Sequence, residues 1–245
     1  LLSHNRVRVP KQIQPGPAAL PEPGAIAVDQ HGPESGAEKI VQIVQDWLKA
    51  GVPTFEIAVL TRVNAFLLAP YVALTEAGVP VITPVSPDML ERTGVRAALA
   101  YIRLGASPDQ LQPDDLREVQ NRPSRGFPRW ISKWLQWEMS IDELRRTADR
   151  IDDYRVSDKL AELADDVELV ADTVRTGTTR QVLRVISDAV GLGRALTQLD
   201  RSKGGQGDSQ VDDLDALIQV ADLHPDPVTF ESWLRHVLGR RGDQR

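Results

Sequence analysis

The sequence predicts an open α/β unit built on a parallel sheet, followed by an all-α domain. Three observations carry that expectation. Up to about residue 105, short Val/Ile-rich runs alternate with helical patterns. From Pro113 onward, apolar residues recur only at helical spacing. Between these regimes lies a basic stretch broken by proline and glycine, Asn121 to Trp130.

Residues 1–23 are basic and then Pro-rich, an extended lead-in. Gly24 to Val28 is a short apolar run of strand character. Ser35-Gly36-Ala37-Glu38 has capping-box spacing, and Ile40, Val41, Val44, Trp47 and Leu48 mark an amphipathic helix ending near Gly51. Phe55 to Leu60 is a continuous apolar run, the pattern of a strand covered on both faces. A helix over about 65–76 ends at Gly78, Val79 to Thr83 forms another strand, and 88–104 a helix with Leu90, Val95, Ala98, Leu99 and Ile102 inward.

In the second half, Leu160, Leu163, Val167, Val170 and Val174 form a narrow helical stripe. Gly177 ends that helix, and Thr178 or Thr179 caps the next. Gly191-Leu192-Gly193 breaks it, and a polar glycine loop, 201–207, follows. Leu214, Leu217, Ile218 and Ala221 mark a helix, and Asp226-Pro227 opens a last one.

The chain has 245 residues, a net charge of −6 and no cysteine. The missing cysteines exclude disulfides, thiolate metal sites and Cys nucleophiles, and they suit a cytoplasmic protein. No apolar run is long enough to cross a membrane as a helix. The chain has no signal-peptide layout and no initiator Met, and it reads as a piece of something longer. The acidic balance argues against indiscriminate coating of nucleic acid, so any such contact needs a local basic patch.

That patch is residues 117–134, where Arg117, Arg122, Arg125, Arg129 and Lys133 face one acid, Glu118. Gly126 can take positive φ, and Pro128 to Trp137 reads as a helix start with Trp130, Trp134 and Trp137 on one face. A basic glycine turn opening a helix suits an anion, and a nucleic-acid phosphate is the first choice. Residues 138–172, with twelve acids against five bases, form a face that repels DNA.

Several motifs are absent. There is no Gly-x-x-x-x-Gly-Lys-Ser/Thr loop and no Gly-x-Gly-x-x-Gly after the first strand pattern. The four histidines lack metal-ligand spacing.

Four blocks, in order, resemble UvrD/Rep/PcrA-type superfamily 1 DNA helicases. Residues 57–65 (IAVLTRVNA) with 73–80 (ALTEAGVP) are similar to the family's A-V-L-x-R-x-N-A…A-L-x-x-x-G-I-P. Residues 91–104 (ERTGVRAALAYIRL) are similar to its E-R-x-E-I-x-D-A-L-A-Y-L-R-L helix, and Asn121 to Phe127 to its N-x-P-x-R-G-I. Residues 185–192 (VISDAVGL) resemble its V-I-x-x-S-G-L.

The resemblance implies that 1–105 is part of the second RecA-like motor domain (2A) and 106–245 the helical insert (2B). It implies an ATP-dependent 3′–5′ DNA translocase or helicase whose ATP- and Mg-binding motifs lie on either side of this chain. Neither is held by this piece alone. The implied partners are single-stranded DNA and a duplex junction, together with repair or replication proteins, and no membrane. Thr61, Arg62 and Asn64 would meet single-stranded DNA or the motor cleft. Arg125, Gly126, Phe127, Arg129 and Lys133 would hold the duplex backbone, with Arg201 and Lys203 as a second phosphate candidate. Where the family often places a strand-contacting arginine this chain has Leu68, and Phe66 is the nearest residue able to stack on a base. Pro128 has no N–H to offer phosphate. Two rival readings remain: a non-enzymatic helical docking or regulatory module using the tryptophan stripe, and a small-molecule α/β enzyme.

Overall fold

The structure, a computed structural model, describes residues 28, 30, 36–202 and 209–240. The chain divides into two units, Leu1–His31 and Gly32–Arg245. Of the first only Val28 and Gln30 are described, so the expected strand at 24–28 lies almost wholly outside the described residues, as does the Ser35 cap.

The second unit is helical. Its α-helices are α1 (Gly36–Lys49), α2 (Leu68–Glu76), α3 (Thr93–Ala106), α4 (Pro113–Val119), α5 (Ile141–Asp149), α6 (Tyr154–Thr176), α7 (Thr179–Asp188), α8 (Leu192–Ser202), α9 (Gln210–Val220) and α10 (Pro227–Gly239). Among the described residues there is no strand, and the sole β-type pairing is the isolated bridge Leu111–Met139. The expected open parallel sheet is therefore corrected to an all-α fold. Phe55 to Leu60 starts as a 3-10 turn, Thr54–Glu56, and then runs on without a ladder partner. Phe55 and Leu60 are 85% and 89% exposed, and Ile82, in the third expected strand, is fully exposed. Apolar runs meet the side-chain requirement of a buried strand, but a strand also needs a neighbour to take up its N–H and C=O groups. None of the described residues supplies one.

Helix α3 is the hub. Ten of its residues are buried, including Val95, Leu99, Tyr101 and Leu104, and it packs on α4, α6, α7, α8, α9 and α10. A helix apolar around all but the Arg96–Arg103 side of its circumference belongs largely inside a helical layer. Residue 105, where the sequence reading divides the chain, lies within α3, and one apolar core runs from Ala65 to Leu238. At Gly105 a Cβ would sit 2.7 Å from Val170 Cγ1 and 3.2 Å from the Ala171 nitrogen, so glycine sets how closely α3 approaches α6.

Local signals explain several helix starts. Ser140 with Glu143 and Thr178 with Gln181 form complete capping boxes for α5 and α7. Asp226 accepts from the Val228 N–H, with Pro227 in the first turn of α10. Helix α8 is not foreseen by the sequence reading. Gly191 has φ +87°, a chain reversal, but Gly193 lies inside α8, where a Cβ would come within 2.6 Å of Ser187 Oγ. That second glycine serves close packing and does not break the helix.

Candidate nucleic-acid interface

The basic turn is built from the inside. Asn121 Oδ1 accepts the Phe127 N–H at 3.1 Å and closes the loop. The Arg122–Pro123 peptide is cis, and Gly126 takes φ +62°. The Tyr101 hydroxyl, fully buried on α3, donates to the Arg122 carbonyl at 3.0 Å. Arg125 turns inward, with only 7% of its surface exposed. Its Nη2 donates to the Tyr101 hydroxyl at 3.1 Å and to Asp166 on α6, and its Nη1 donates to the Val119 carbonyl at 3.2 Å.

Burial pushes Tyr101 up to about 12, against the pull of Arg125. Burial also raises Asp166, helped by Glu162 and Asp165 and opposed by Arg125. For Arg125 burial works downward, yet Tyr101 and Asp166 outweigh it and hold the guanidinium above its ordinary value. The two partners thus do not shift as a simple ion pair. We assign a charged pair at neutral pH, because the guanidinium keeps its proton and touches the carboxylate directly.

Of the five cations in the window, three are consumed. Arg117 pairs with Asp114, Arg122 with Glu118, and Arg125 with Asp166. Arg125, expected as a phosphate contact, is placed inside, where its fork pins the turn to α3 and α6. Phe127, also expected at DNA, is 9% exposed and joins the core, and its N–H is taken by Asn121. Gly126 remains on the surface. Arg129 and Lys133 are exposed and have no hydrogen-bond or ion-pair partner among the described residues.

The expected helix from Pro128 to Trp137 is a short 3-10 turn, Arg129–Lys133, followed by bends. A single short turn has little dipole, so the anion-attracting helix start expected here is absent. The segment is held down by Phe127, Ile131, Leu135 and Met139, all buried and four residues apart. These take the inward positions and leave the aromatic rings outside. Trp130 and Trp134 are each 40% exposed and Trp137 75%.

One cation not found from the sequence joins the turn. Lys159, on α6, has its Nζ 3.5 Å from the Gly126 carbonyl oxygen. It lies in the stretch read as DNA-repelling, where four of the twelve acids are paired: Asp165 and Glu168 with Arg145, Asp166 with Arg125, and Asp172 with Arg175.

The other candidates lie elsewhere. Thr61 and Arg62 are exposed before a 3-10 turn, Asn64–Leu67, that packs on α9 and α2, and Thr61 Oγ1 donates to the Val63 carbonyl at 2.8 Å. Exposed Asn64 opens that turn. No hydrogen bond or ion pair among the described residues joins this group to the 125–133 turn. Phe66 is half-buried against the core and Leu68 is fully buried. Arg201 is exposed in the last turn of α8, and Lys203 lies outside the described residues. Asp200 accepts from Ser209 Oγ and from the Gln210 and Val211 N–H groups, so its carboxylate already occupies the α9 N-terminus.

No protein-family model matches the chain, and no curated protein matches it.

Proposed function

We propose that this chain is the DNA-contacting part of an ATP-dependent 3′–5′ DNA translocase or helicase of UvrD/Rep/PcrA type, and that it holds duplex backbone through Arg129, Lys133 and Lys159. The helicase assignment rests on the four ordered sequence blocks. The partial RecA-like sheet that the same resemblance implies does not enter it. The observation that carries the DNA contact is that the Arg129 and Lys133 side chains stand outward, without partners among the described residues, beside the Gly126 turn in a chain of net charge −6. Exposed, unpaired cations are what phosphate neutralisation requires. Arg125 supports them from behind by fixing the turn. Arg62 and Arg201, both exposed, are secondary contacts in this reading. ATP and Mg belong to the parent protein, and no residue here is assigned to them.

Repair or replication proteins are the further partners that go with this activity, and a cytoplasmic location is part of the same reading. No helix among the described residues is long and apolar enough to cross a membrane.

The test is titration of a labelled duplex at several salt concentrations. R129A/K133A, losing two phosphate contacts, should lower the log–log salt slope by about 1.8. An unchanged slope in a variant that melts like the parent would refute the contact. The exposed tryptophans favour a second reading, a helical module that docks a protein through Trp130, Trp134 and Trp137. Binding of that kind holds or strengthens as salt rises, whereas phosphate binding falls.

A further inference from the structure

The exposed tryptophans and the unpaired cations belong to one short segment, and their interleaving adds something that duplex backbone contact leaves unused. In a 3-10 turn, side chains three apart eclipse, so Lys133 lies in line with Trp130 along Arg129–Lys133. Trp134 follows at once, and Trp137 stands most exposed of the three. The four-residue spacing of Phe127, Ile131, Leu135 and Met139 fixes the segment from below, so the rings are presented by an anchored backbone. No aromatic contact joins any of these three rings to another among the described residues, so their faces are not spent on one another. Trp233, by contrast, is stacked on His224 at 4.7 Å and 13°.

Duplex DNA keeps its bases stacked inside and offers a protein phosphates and groove edges. Three indole faces among cations are ill used on such a surface. An unpaired strand offers both a phosphate every nucleotide and a free base face, and every base can stack whatever its identity. Charge decides between a strand and an apolar protein surface. Covering Trp130 with an apolar partner would strip water from Arg129 and Lys133 with nothing to pair them, a costly burial, whereas a strand brings a phosphate to each. We propose that Trp130, Trp134 and Trp137, flanked by Arg129, Lys133 and Lys159, form a stacking platform for unpaired DNA bases. The acids nearest in sequence to Lys159, Asp158 and Glu162, are exposed on the same helix, and Glu162 also acts on Asp166 behind the turn, so both reduce the favourable charge around Lys159. This inference rests on the DNA-contacting reading and assigns the strand beside a junction to the same surface.

The experiment measures anisotropy of a labelled oligothymidine and, in parallel, of a blunt duplex. It compares the parent with W130A, W134A, W137A and the three Trp→Phe counterparts. Each Ala variant should bind the oligothymidine about 5- to 150-fold more weakly, the range for losing one base stack. Phe should restore most of the loss, and duplex affinity should stay within about twofold of the parent. Trp137 is so exposed that W137A tests the platform without a folding penalty. If all three Ala variants bind the oligothymidine like the parent while R129A/K133A still lowers the duplex salt slope, the platform is refuted and the phosphate contact stands. If neither set of variants changes any binding, both fall. Self-association or protein binding that tightens with salt and is lost in W137A, with no oligothymidine effect, also overturns the platform.

Discussion

Removing the Arg125 side chain separates a structural arginine from a binding one. In R125A, Asp166 loses its partner inside the α3–α6 junction. The side chains are 3% and 17% exposed, so the guanidinium is almost dry and the carboxylate keeps some water. Breaking a buried pair by deleting one member costs roughly 3–5 kcal/mol, and the remaining water on Asp166 puts this case near 3. The other partners are not orphaned: the Val119 carbonyl still accepts from the Arg122 N–H, and the Tyr101 hydroxyl still donates to the Arg122 carbonyl. For a chain of this size about 3 kcal/mol corresponds to a melting shift of about 6–12 °C. The assay is calorimetric melting of the parent, R125A and R125M/D166L at neutral pH. The double variant replaces the pair by apolar groups and should recover most of the loss, because no charge is left unpaired. Parent-like melting of R125A combined with lost duplex affinity would make Arg125 a phosphate ligand and refute the structural role.

Two further perturbations follow from named contacts. G105A places a Cβ 2.7 Å from Val170 Cγ1 and within 3.2 Å of α6 backbone, which cannot swing aside. It should lower the urea midpoint by an amount equal to about 1–3 kcal/mol, and an equal or higher midpoint would contradict the close α3–α6 approach. Asp226 is held below the ordinary carboxylate value by the Thr229 hydroxyl and the Val228 N–H. Its folded pKa is therefore depressed, so its contribution is present above the unfolded value of about 3.9 and is lost as pH falls through the folded value. D226N keeps an acceptor without a titrating charge. The melting advantage of the parent over D226N should therefore shrink from pH 5 to pH 3, and a constant or growing gap would contradict the assignment.

Helix positions were legible where the sequence carries its own punctuation. Thr178 three residues before Gln181, and Asp226 before Pro227, specify helix starts by chemistry within a few residues. The stripe from Leu160 to Val170 likewise gives α6 its buried face. The strands were misread because apolar runs such as Phe55 to Leu60 report side-chain character, while pairing depends on a neighbour that no local pattern guarantees. The charge excess of the basic window is legible in the sequence, and so is the outward placing of Arg129 and Lys133, but the inward turn of Arg125 is not. The acid that draws Arg125 inward lies 41 residues away on α6, and the cation that replaces it at the surface, Lys159, lies 33 residues from the carbonyl it reaches. Only tertiary packing brings these together. The outward tryptophans could have been found: the four-residue recurrence of Phe127, Ile131, Leu135 and Met139 fills the inner positions and excludes the indoles.

Lysine footprinting tests the DNA surface most directly. The protein is acetylated with and without saturating duplex at low salt, and each lysine is quantified by mass spectrometry. Lys133 and Lys159 flank the Gly126 turn, whereas Lys39 and Lys49 lie on α1, which packs on α2. Duplex should protect Lys133 and Lys159 together, leave Lys39 and Lys49 as reactive as in the free protein, and lose its protection as salt rises. Protection centred on α1, or unchanged reactivity of Lys133 in a complex shown to be saturated, would contradict this surface as the DNA site.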